Sequence, residues 1–412
     1  MKDKKFLLHF SLILLGTLFY FVANFQRIAV PGAIFDILEQ ELSVGAPEIT
    51  AFGAIYMYLY AFTQLFNGIF VDRYGGYRVM IVGAIIMGLG CVIFPLSSDL
   101  TMMYFSRALL GVGGSMFYLS LIKELGLLFE EKDFGIALSV MLFVGYAGGI
   151  AANAPFVMAM RVLSWREILL IIAGIVIVSI VAYLILLPKT KLDPINKHVK
   201  LKLLPFQLVL HKKHNRNLFT FACCNFGIAY LIQTVIGKKF LEDFCLLTSA
   251  KAAVVLSIMA IVAAVSNLVN ASVCKLFHNH RVIFLKGASI ITFLSLLIIC
   301  ILIWFEIRTI LIAFLFCVLA ANASLSSLLV PVLHATNRKM ISGTAVSILN
   351  FSYFMMVGLL GTATGYILHV FEPVRVGNTL IYSTYSYLLL FTTFLVLSVY
   401  EIYRAAKLSD KY

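Results

Sequence analysis

Charged residues are scarce in this 412-residue chain, and acidic residues are the scarcer kind. Only 12% of the residues are Asp, Glu, Lys or Arg, with 19 acidic against 32 basic residues. A soluble globular domain has about 25% charged residues. The composition therefore excludes an ordinary soluble protein, and the shortage of carboxylates leaves few candidates for acid–base chemistry.

Motifs for catalysis and metal binding are missing as well. The eight histidines form no H-E-x-x-H pattern and the seven cysteines no C-x-x-C pattern, so we expect no metal site. The run Gly111-Val112-Gly113-Gly114 lacks the Lys-Ser/Thr of a phosphate loop, and no Ser-His-Asp set with a nucleophile elbow occurs. We expect no cofactor and no enzymatic activity. Five cysteines lie in apolar runs as small buried hydrophobic side chains: Cys91, Cys223, Cys224, Cys300 and Cys317.

Long apolar runs, in contrast, are abundant. Hydrophobic residues make up 62% of the chain, and its mean hydropathy is +1.00. Because about 20 apolar residues cross a bilayer, the runs predict twelve membrane spans. The predicted spans lie near 6–30, 46–71, 79–97, 102–124, 135–160, 167–187, 218–237, 252–274, 283–305, 309–333, 342–368 and 380–400. They predict an N-terminal bundle over 1–187, a linker over 188–217 and a C-terminal bundle over 218–412.

The net charge of +13 is concentrated in alternate short loops. Of the 32 Lys and Arg residues, 23 lie on the side of the N-terminus and seven on the other side. The positive-inside rule therefore predicts that both termini are cytoplasmic and that the partner of this charge is the lipid bilayer rather than nucleic acid. The basic linker is expected to lie on the anionic leaflet. Met1 to Lys5 and the following apolar run resemble a signal peptide, but no cleavage site follows, so this run is predicted to be span 1.

A charged turn joins the second and third spans. It runs from Gly68 to Arg78 as G-x-x-x-D-R-x-G-x-x-R, and Asp72 and Arg73 are placed to hydrogen-bond and cap the neighbouring helix ends. Spans 5 and 11 begin alike, with G-x-A-x-S at Gly135 and at Gly343, which indicates two related halves. Span 4 continues from Arg107 into closely spaced glycines.

These features resemble the major facilitator superfamily of secondary transporters. The resemblance implies an all-α polytopic membrane protein, with twelve transmembrane helices in two six-helix bundles that work by alternating access. It implies gating or conformational roles for the loop and for span 4, and the residues that match are Gly68, Asp72, Arg73, Gly75, Arg78 and Arg107. For Arg107 a structural anchor and a part in energy coupling are both open.

Arg27 is the most informative single residue, because a charge at depth in a span costs at least about 2.5–3.5 kcal/mol. One hypothesis is that it faces a cavity and binds an anionic group on the substrate. The other is that it snorkels to the interface or pairs with Asp36 or Glu39. The family's anion carriers pair such an arginine with a second one in span 7, which this chain lacks. A single positive charge suits a monocarboxylate, an amino acid or another zwitterion.

Uncharged polar residues inside the spans are the other candidates for substrate binding. Each of them could instead be a hydrogen bond between helices, whereas several together are expected at a midplane site. The candidate substrate-binding residues are Arg27, Asn24, Tyr60, Gln64, Tyr118, Tyr230, Gln233, Asn322, Asn350 and Tyr353. No Asp or Glu lies near the middle of any predicted span. Facilitated diffusion, exchange and symport with protons as the coupling ion all remain open.

The sequence thus predicts a secondary active or facilitative transporter of a small organic solute, anionic or zwitterionic. The alternatives are an exporter of a larger amphiphilic metabolite such as a siderophore, or a transport-inactive receptor on the same fold. The short loops and Lys-rich linker are typical of a bacterial inner membrane. We also expect the protein to be a monomer.

Overall fold

The computed structural model describes residues 2–190, 192, 195–196, 204–276, 280–376 and 379–409. Twelve of the helices in these residues are long and apolar enough to cross a membrane, as the sequence predicts. They are Lys5–Ala33, Ala46–Tyr74, Gly76–Leu96, Leu100–Leu128, Asp133–Ala151, Trp165–Lys189, Lys213–Asp243, Ser249–Cys274, Arg281–Trp304, Leu311–Thr336, Ile341–Leu368 and Thr384–Ala406. We number them as spans 1 to 12.

Several spans are built from more than one helical segment. The first half contains α1 (Lys2–Ile28), α2 (Phe35–Leu42), α3 (Ala46–Tyr74), α4 (Gly76–Leu96), α5 (Leu100–Ser115), α6 (Phe117–Leu128), α7 (Glu131–Ala151), α8 (Ala154–Ala159) and α9 (Trp165–Leu186). Then follow α10 (Leu204–His211), α11 (Lys213–Leu231), α12 (Gly237–Asp243), α13 (Ser249–Leu276), α14 (Arg281–Trp304), α15 (Leu311–Ala323), α16 (Ser326–Thr336), α17 (Lys339–Leu368) and α18 (Thr384–Ala406). Of the predicted linker, residues 191, 193–194 and 197–203 lie outside the described residues.

Every third span, beginning with span 1, is interrupted. Span 1 is broken by a π-helical turn at Ala29–Ala33, where Val30 leaves helical geometry just before Pro31. A residue before proline is pushed out of the helical region, and proline has no N–H to donate. Span 7 has a π-helical turn at Ile232–Ile236, and spans 4 and 10 break at the α5–α6 and α15–α16 junctions. Such irregular turns recur at functional sites in helical membrane proteins.

The helices form two compact units. Unit 1 comprises residues 1–29 and 55–201, and unit 2 comprises residues 30–54 and 202–412. The segment 30–54, which contains α2, therefore belongs to the unit that contains the C-terminal half of the chain. The sequence had assigned this segment to the N-terminal bundle.

Close helix packing in unit 1 depends on glycine. Helix α1 packs against α7, and α4 packs against α5 and α9. A Cβ atom at Gly148 of α7 would lie 2.1 Å from the carbonyl oxygen of Phe21 in α1. A Cβ atom at Gly111 of α5 would lie 2.4 Å from the carbonyl oxygen of Tyr56 in α3. Small residues let backbones approach in this way where lipid gives helices no hydrophobic reason to associate.

Unit 2 is built around α11 and α14. Helix α11 packs against α17 and α18, α14 against α18, and α13 against α15. Two short antiparallel strands, β1 (Val374–Val376) and β2 (Thr379–Ile381), join span 11 to span 12, with Arg375 opposite Leu380. Helix α2 contacts β2.

The two glycines of the G-x-A-x-S repeat lie in open surroundings. A Cβ atom at Gly135 or at Gly343 would meet no described atom within 4 Å. The repeat therefore does not mark a close helix contact in this structure.

Candidate functional site

Three polar side chains lie on one face of α1 directly before its break. Tyr20, Asn24 and Arg27 are spaced at i, i+4 and i+7, which places them in a row along the helix. Arg27 is buried, with 7% of its surface exposed, and its Nη2 donates a hydrogen bond to Asn24 Oδ1. The interrupted end of span 1 thus presents a guanidinium inside unit 1.

Tyrosines from three other helices surround this row. The guanidinium carbon of Arg27 lies 5.4 Å from the ring centroid of Tyr60 in α3, within the range of a cation–π contact. The Tyr20 ring lies 6.2 Å from that of Tyr118 in α6 and 6.3 Å from that of Tyr146 in α7. We call these six residues the Arg27 cluster: Tyr20, Asn24, Arg27, Tyr60, Tyr118 and Tyr146.

The chemistry of the Arg27 cluster is one fixed positive charge among uncharged hydroxyl, amide and ring groups. A guanidinium presents its donors in a planar fork that matches a carboxylate or a phosphate. The phenol hydroxyls add donors and acceptors, and the rings add apolar surface. Of the residues predicted to bind substrate, Arg27, Asn24, Tyr60 and Tyr118 lie in this cluster. Tyr20 and Tyr146 were missed, although Tyr20 is on the same helix face as Arg27 and the 3.6-residue period alone could have identified it.

Arg107 anchors the end of α1. It is fully buried, and its Nη1 donates a 2.9 Å hydrogen bond to the carbonyl oxygen of Gln26. Its guanidinium carbon lies 4.8 Å from the ring centroid of Tyr56 and 5.9 Å from that of Phe94. A cation at the C-terminal end of a helix also complements the helix dipole. Arg107 therefore positions the residue that precedes Arg27.

Gln64 lies in a contact between helices. The Nε2 atom of Gln64 lies 3.5 Å from the carbonyl oxygen of Ser115, at the α5–α6 break. Asn67, one turn later on α3, donates to the same oxygen at 2.7 Å. Tyr56, which precedes Tyr60 on the same face, donates to the carbonyl oxygen of Ala23 at 3.1 Å. These contacts connect α3 to the breaks in spans 1 and 4.

The loop between spans 2 and 3 turns at Gly75, whose φ of +84° favours glycine. The capping that the sequence assigns to Asp72 and Arg73 is carried out by neighbours on α6. Lys123 Nζ donates to the carbonyl oxygen of Val71 at 2.7 Å, near the end of α3. Glu124 Oε1 accepts from the backbone N–H of Tyr77 at 3.2 Å, at the start of α4. A cation thus lies at a helix C-terminus and an anion at a helix N-terminus, as the two dipoles require.

The remaining loop residues lie in more exposed surroundings. The Asp72 side chain is 70% exposed, with Oδ1 3.9 Å from Lys123 Nζ. The Arg73 guanidinium lies over the Tyr74 ring at 5.3 Å, and Arg78 donates to the carbonyl oxygen of Tyr74 at 2.8 Å. A Cβ atom at Gly68 would meet no described atom within 4 Å. Asp72 is therefore exposed and does not cap a helix, because Lys123 hydrogen-bonds the carbonyl oxygen of Val71 near the end of α3.

The predicted residues of unit 2 fall into different surroundings. Tyr230 of α11 and Tyr353 of α17 join one aromatic cluster through Phe226, whose ring lies 4.8 Å from Tyr230 and 4.5 Å from Tyr353. Gln233 lies in the π-helical turn of span 7, with 7% of its surface exposed. Asn350 is half-buried on α17.

Asn322 belongs to a separate polar network. Its Nδ2 donates to the carbonyl oxygen of Ala288 at 2.6 Å and to Thr292 Oγ1 at 2.7 Å, both on α14. Asn225 of α11 donates to the same Thr292 hydroxyl and to Glu401, each at 2.9 Å. Asn322 also lines a cavity of about 500 Å³. It connects helices within unit 2.

The comparison with protein families decides what kind of protein this is. The model of the Major Facilitator Superfamily matches residues 14–362. The chain belongs to the major facilitator superfamily. This membership, together with the twelve spans, confirms the fold that the loop signature implied. A major facilitator protein is a transporter of small molecules rather than an enzyme, and this chain is an integral membrane protein.

Individual relatives of this major facilitator protein are distant. It is 20% identical over 158 residues to the probable sulfoacetate transporter SauU of Cupriavidus necator. The match covers 38% of this chain and only 36% of that relative.

Two solved structures share the fold over nearly their whole length. A bacterial homolog of the human lysosomal transporter Spinster, inward-facing and unoccupied, has a TM-score of 0.72 and 16% identity, with 97% of this chain and 96% of that chain covered. A POT family transporter in complex with 5-aminolevulinic acid has a TM-score of 0.74 and 13% identity, covering 98% and 96%. At these identities the two likenesses show the fold alone.

Proposed function

We propose that this transporter moves a small organic solute that is anionic or zwitterionic, such as a carboxylate or an amino acid. Transport is secondary active or facilitative and proceeds by alternating access. The observation that carries the proposal is Arg27, a buried guanidinium at the interrupted end of span 1. It lies against Asn24 and Tyr60, and Tyr20 on the same face of α1 lies next to Tyr118 and Tyr146.

A membrane span keeps a charge at depth only where the charge serves a purpose or has a partner. The carboxylates considered as structural partners of Arg27 were Asp36 and Glu39, and both contact Lys239 of unit 2. One guanidinium matches one carboxylate in a fork geometry. The sequence relative named for sulfoacetate, a small organic anion, supports the same substrate class.

Further parts of the proposal follow from the sequence pattern. The loop basic residues favour an inner membrane of a bacterium with both termini cytoplasmic, and the protein acts as a monomer. Tyr230, Gln233, Asn322, Asn350 and Tyr353 of unit 2 are proposed to add polar contacts to the solute. Symport with protons is the form of coupling that we propose to test.

The first test is ligand-dependent thermal stability of the purified full-length protein. The panel contains sulfoacetate, monocarboxylates, amino acids, sugar phosphates and neutral sugars. A ligand at 100 times its dissociation constant adds about 2.7 kcal/mol to the stability of the native protein. Arg27→Ala is measured beside the wild type, and the exposed Arg161→Ala is the control for loss of a positive charge.

The expected result is that an acid or a zwitterion raises the melting temperature of wild type and of Arg161→Ala. For Arg27→Ala, the binding free energy falls by about 1.5–3 kcal/mol, which lowers the affinity by about 10- to 160-fold. Equal responses of Arg27→Ala and wild type, or stabilisation by neutral solutes alone, would overturn the proposal. Flux of the stabilising ligand into vesicles of known orientation then separates import from export of a larger metabolite. Binding without flux would identify a receptor.

A further inference from the structure

Helix α2 contacts the rest of unit 2 through buried charged residues. One face of α2 is buried through Phe35, Leu38 and Glu39. It lies against β2 and against α12, the last helical segment of span 7. The charged groups of this contact are Asp36 and Glu39 on α2, and Lys238, Lys239, Glu242 and Asp243 on α12. Tyr382 and Tyr387 add hydroxyl groups.

Lys239 is the centre of this contact, and all N–H donors of its ammonium group are used. It is 1% exposed, and an ammonium has three N–H donors. These reach Asp36 Oδ1, Asp243 Oδ1 at 3.1 Å and the carbonyl oxygen of Leu380 at 2.5 Å. All three donors are therefore used.

Glu39 is the carboxyl group that this arrangement leaves without enough hydrogen-bond donors. It is 2% exposed, and its Oε1 accepts a hydrogen bond from the Tyr382 hydroxyl. Its Oε2 lies 3.8 Å from Lys239 Nζ and has no hydrogen-bond partner among the described residues. A buried carboxylate oxygen without a donor is costly, whereas a protonated carboxyl carries no charge.

The number of charged groups in the contact also favours a protonated carboxyl group. Lys238 pairs with Glu242 at 2.8 Å, and the negative charges of Glu242 and Asp36 repel each other. Two ammonium groups therefore face four carboxyl groups: Asp36, Glu39, Glu242 and Asp243. Tyr387 donates to Asp243 at 2.7 Å, which helps to satisfy that carboxylate. If all four carboxyl groups were ionised, the buried contact would carry excess negative charge, and binding a proton removes part of it.

We infer that Glu39 is a proton-binding site, and that the contact of α2 with α12 forms with a proton bound to Glu39. Separation of the two helices hydrates the carboxyl group. The O–H bond of Glu39 then breaks, the electron pair stays on the carboxylate and the proton passes to water. The inference rests on the proposed function in that transport occurs by alternating access, and it adds the step that α2 separates from α12 during the cycle.

The pKa values of the groups on α2 agree with this assignment. Burial raises the pKa of Glu39 from 4.5 to about 8, although Lys239 and the Tyr382 hydroxyl act in the opposite direction. Burial also acts to raise the pKa of Asp36, but the ammonium groups of Lys239 and Lys238 outweigh it and hold that pKa below its ordinary value. Burial raises the pKa of Tyr382, so its hydroxyl stays neutral and continues to donate. Glu39 is therefore the group on α2 that changes charge near neutral pH.

The sign of the pH dependence follows from proton linkage. The contact binds the proton with a pKa of about 8, and a hydrated glutamate has a pKa of 4.5. Between these values separation releases a proton, so each rise of one pH unit favours the separated state by up to about tenfold. Below this window both states are protonated, and above it both are ionised, so the dependence disappears on either side.

The experiment uses the full-length protein in lipid nanodiscs without any solute. Infrared difference spectra across steps from pH about 5 to about 9 read the C=O stretch of a protonated carboxyl group. Wild type is expected to lose such a band near its titration point. Glu39→Gln should lack this titrating band, while Glu41→Gln, an exposed change on the same helix, should keep it. A band that titrates in Glu39→Gln as it does in wild type would overturn the assignment.

Hydrogen exchange of residues 35–42, corrected for intrinsic exchange rates, tests the link to separation. Protection in wild type and in Glu41→Gln should fall with rising pH by up to about tenfold per unit, and Glu39→Gln should stay protected because its amide is uncharged. Protection that is independent of pH in wild type would refute the link. If Glu39→Gln does not fold, Tyr382→Phe serves instead. It removes the donor to Oε1, so the carboxyl band of this variant should titrate at a higher pH than the band of wild type. A band that titrates at the wild-type pH would count against Glu39. Because no solute is present, failure here leaves the proposed substrate class untouched.

Discussion

The guanidinium of Arg107 donates a 2.9 Å hydrogen bond to the backbone carbonyl of Gln26, in the last turn of α1. Four residues after Gln26, Val30 leaves helical geometry. The last carbonyls of a helix need partners from outside the helix. A fully buried arginine from span 4 thus supports the interrupted end of span 1, next to the residue on which the proposed anion site depends.

Arg107→Ala is expected to lower the stability of the protein by about 1–3 kcal/mol, because the Gln26 carbonyl is left buried without this donor. Arg107→Lys keeps a positive charge but loses the planar group that lies 4.8 Å from the Tyr56 ring, so an intermediate loss is expected. The melting temperature of the purified variants measures both effects. Arg161→Ala, at an exposed site, is the control. Unchanged melting of Arg107→Ala would show that the contact does not stabilise the fold.

Gly32→Ala is expected to be destabilising by about 1–3 kcal/mol, the usual cost of overpacking. The added Cβ atom would lie 2.5 Å from the carbonyl oxygen of Thr234, where the π-helical turns of spans 1 and 7 touch within unit 2. Gly174→Ala in α9 is the matched control, because its Cβ atom would meet no described atom within 4 Å. The melting temperatures of both variants test this prediction. Equal melting temperatures would mean that the two π-helical turns can move apart without loss of stability.

The number of spans and the membership of the family were predictable because both depend on local patterns, namely apolar length and the order of residues in one loop. The end of span 7 was not. The sequence ends it near residue 237 and treats Lys238 and Lys239 as loop residues, yet both are buried in α12. Their burial depends on carboxylates as distant in sequence as Asp36, and no local pattern contains that pairing.

The same reason explains two further differences. Glu401 follows the predicted last span, but α18 continues to Ala406 and buries Glu401 completely against Asn225. In the Arg27 cluster, Tyr60 was a candidate from sequence as a polar residue inside a predicted span, whereas the place of Tyr146 depends on how closely α7 approaches α1. That approach is set by glycines such as Gly148, whose packing partner a sequence pattern does not name.

Tyr20→Phe and Tyr146→Phe are each expected to weaken solute binding by about 0.5–1.5 kcal/mol, the value of one hydrogen bond. The two rings are neighbours, with centroids 6.3 Å apart, so the double variant should lose less than the sum of the single changes. Affinity is measured with the ligand found in the stability screen. Tyr366→Phe, 67% exposed, is the control. Additive losses would show that the two tyrosines act separately.

The loop between spans 2 and 3 allows a structural role to be separated from a conformational one. Glu124→Gln should lower stability by about 0.5–2 kcal/mol, because it weakens a charged cap at the start of α4. Asp72→Asn should leave stability unchanged within about 1 kcal/mol, since an exposed ion pair contributes little. If Asp72 and Arg73 gate transport as the resemblance implies, Asp72→Asn and Arg73→Ala should slow flux at normal membrane level and normal melting temperature. Normal flux in both variants would limit the role of this loop to the helix caps supplied by Lys123 and Glu124. Asp72 is exposed and makes no comparable structural contact, so a slower flux of Asp72→Asn could not be explained by a loss of stability.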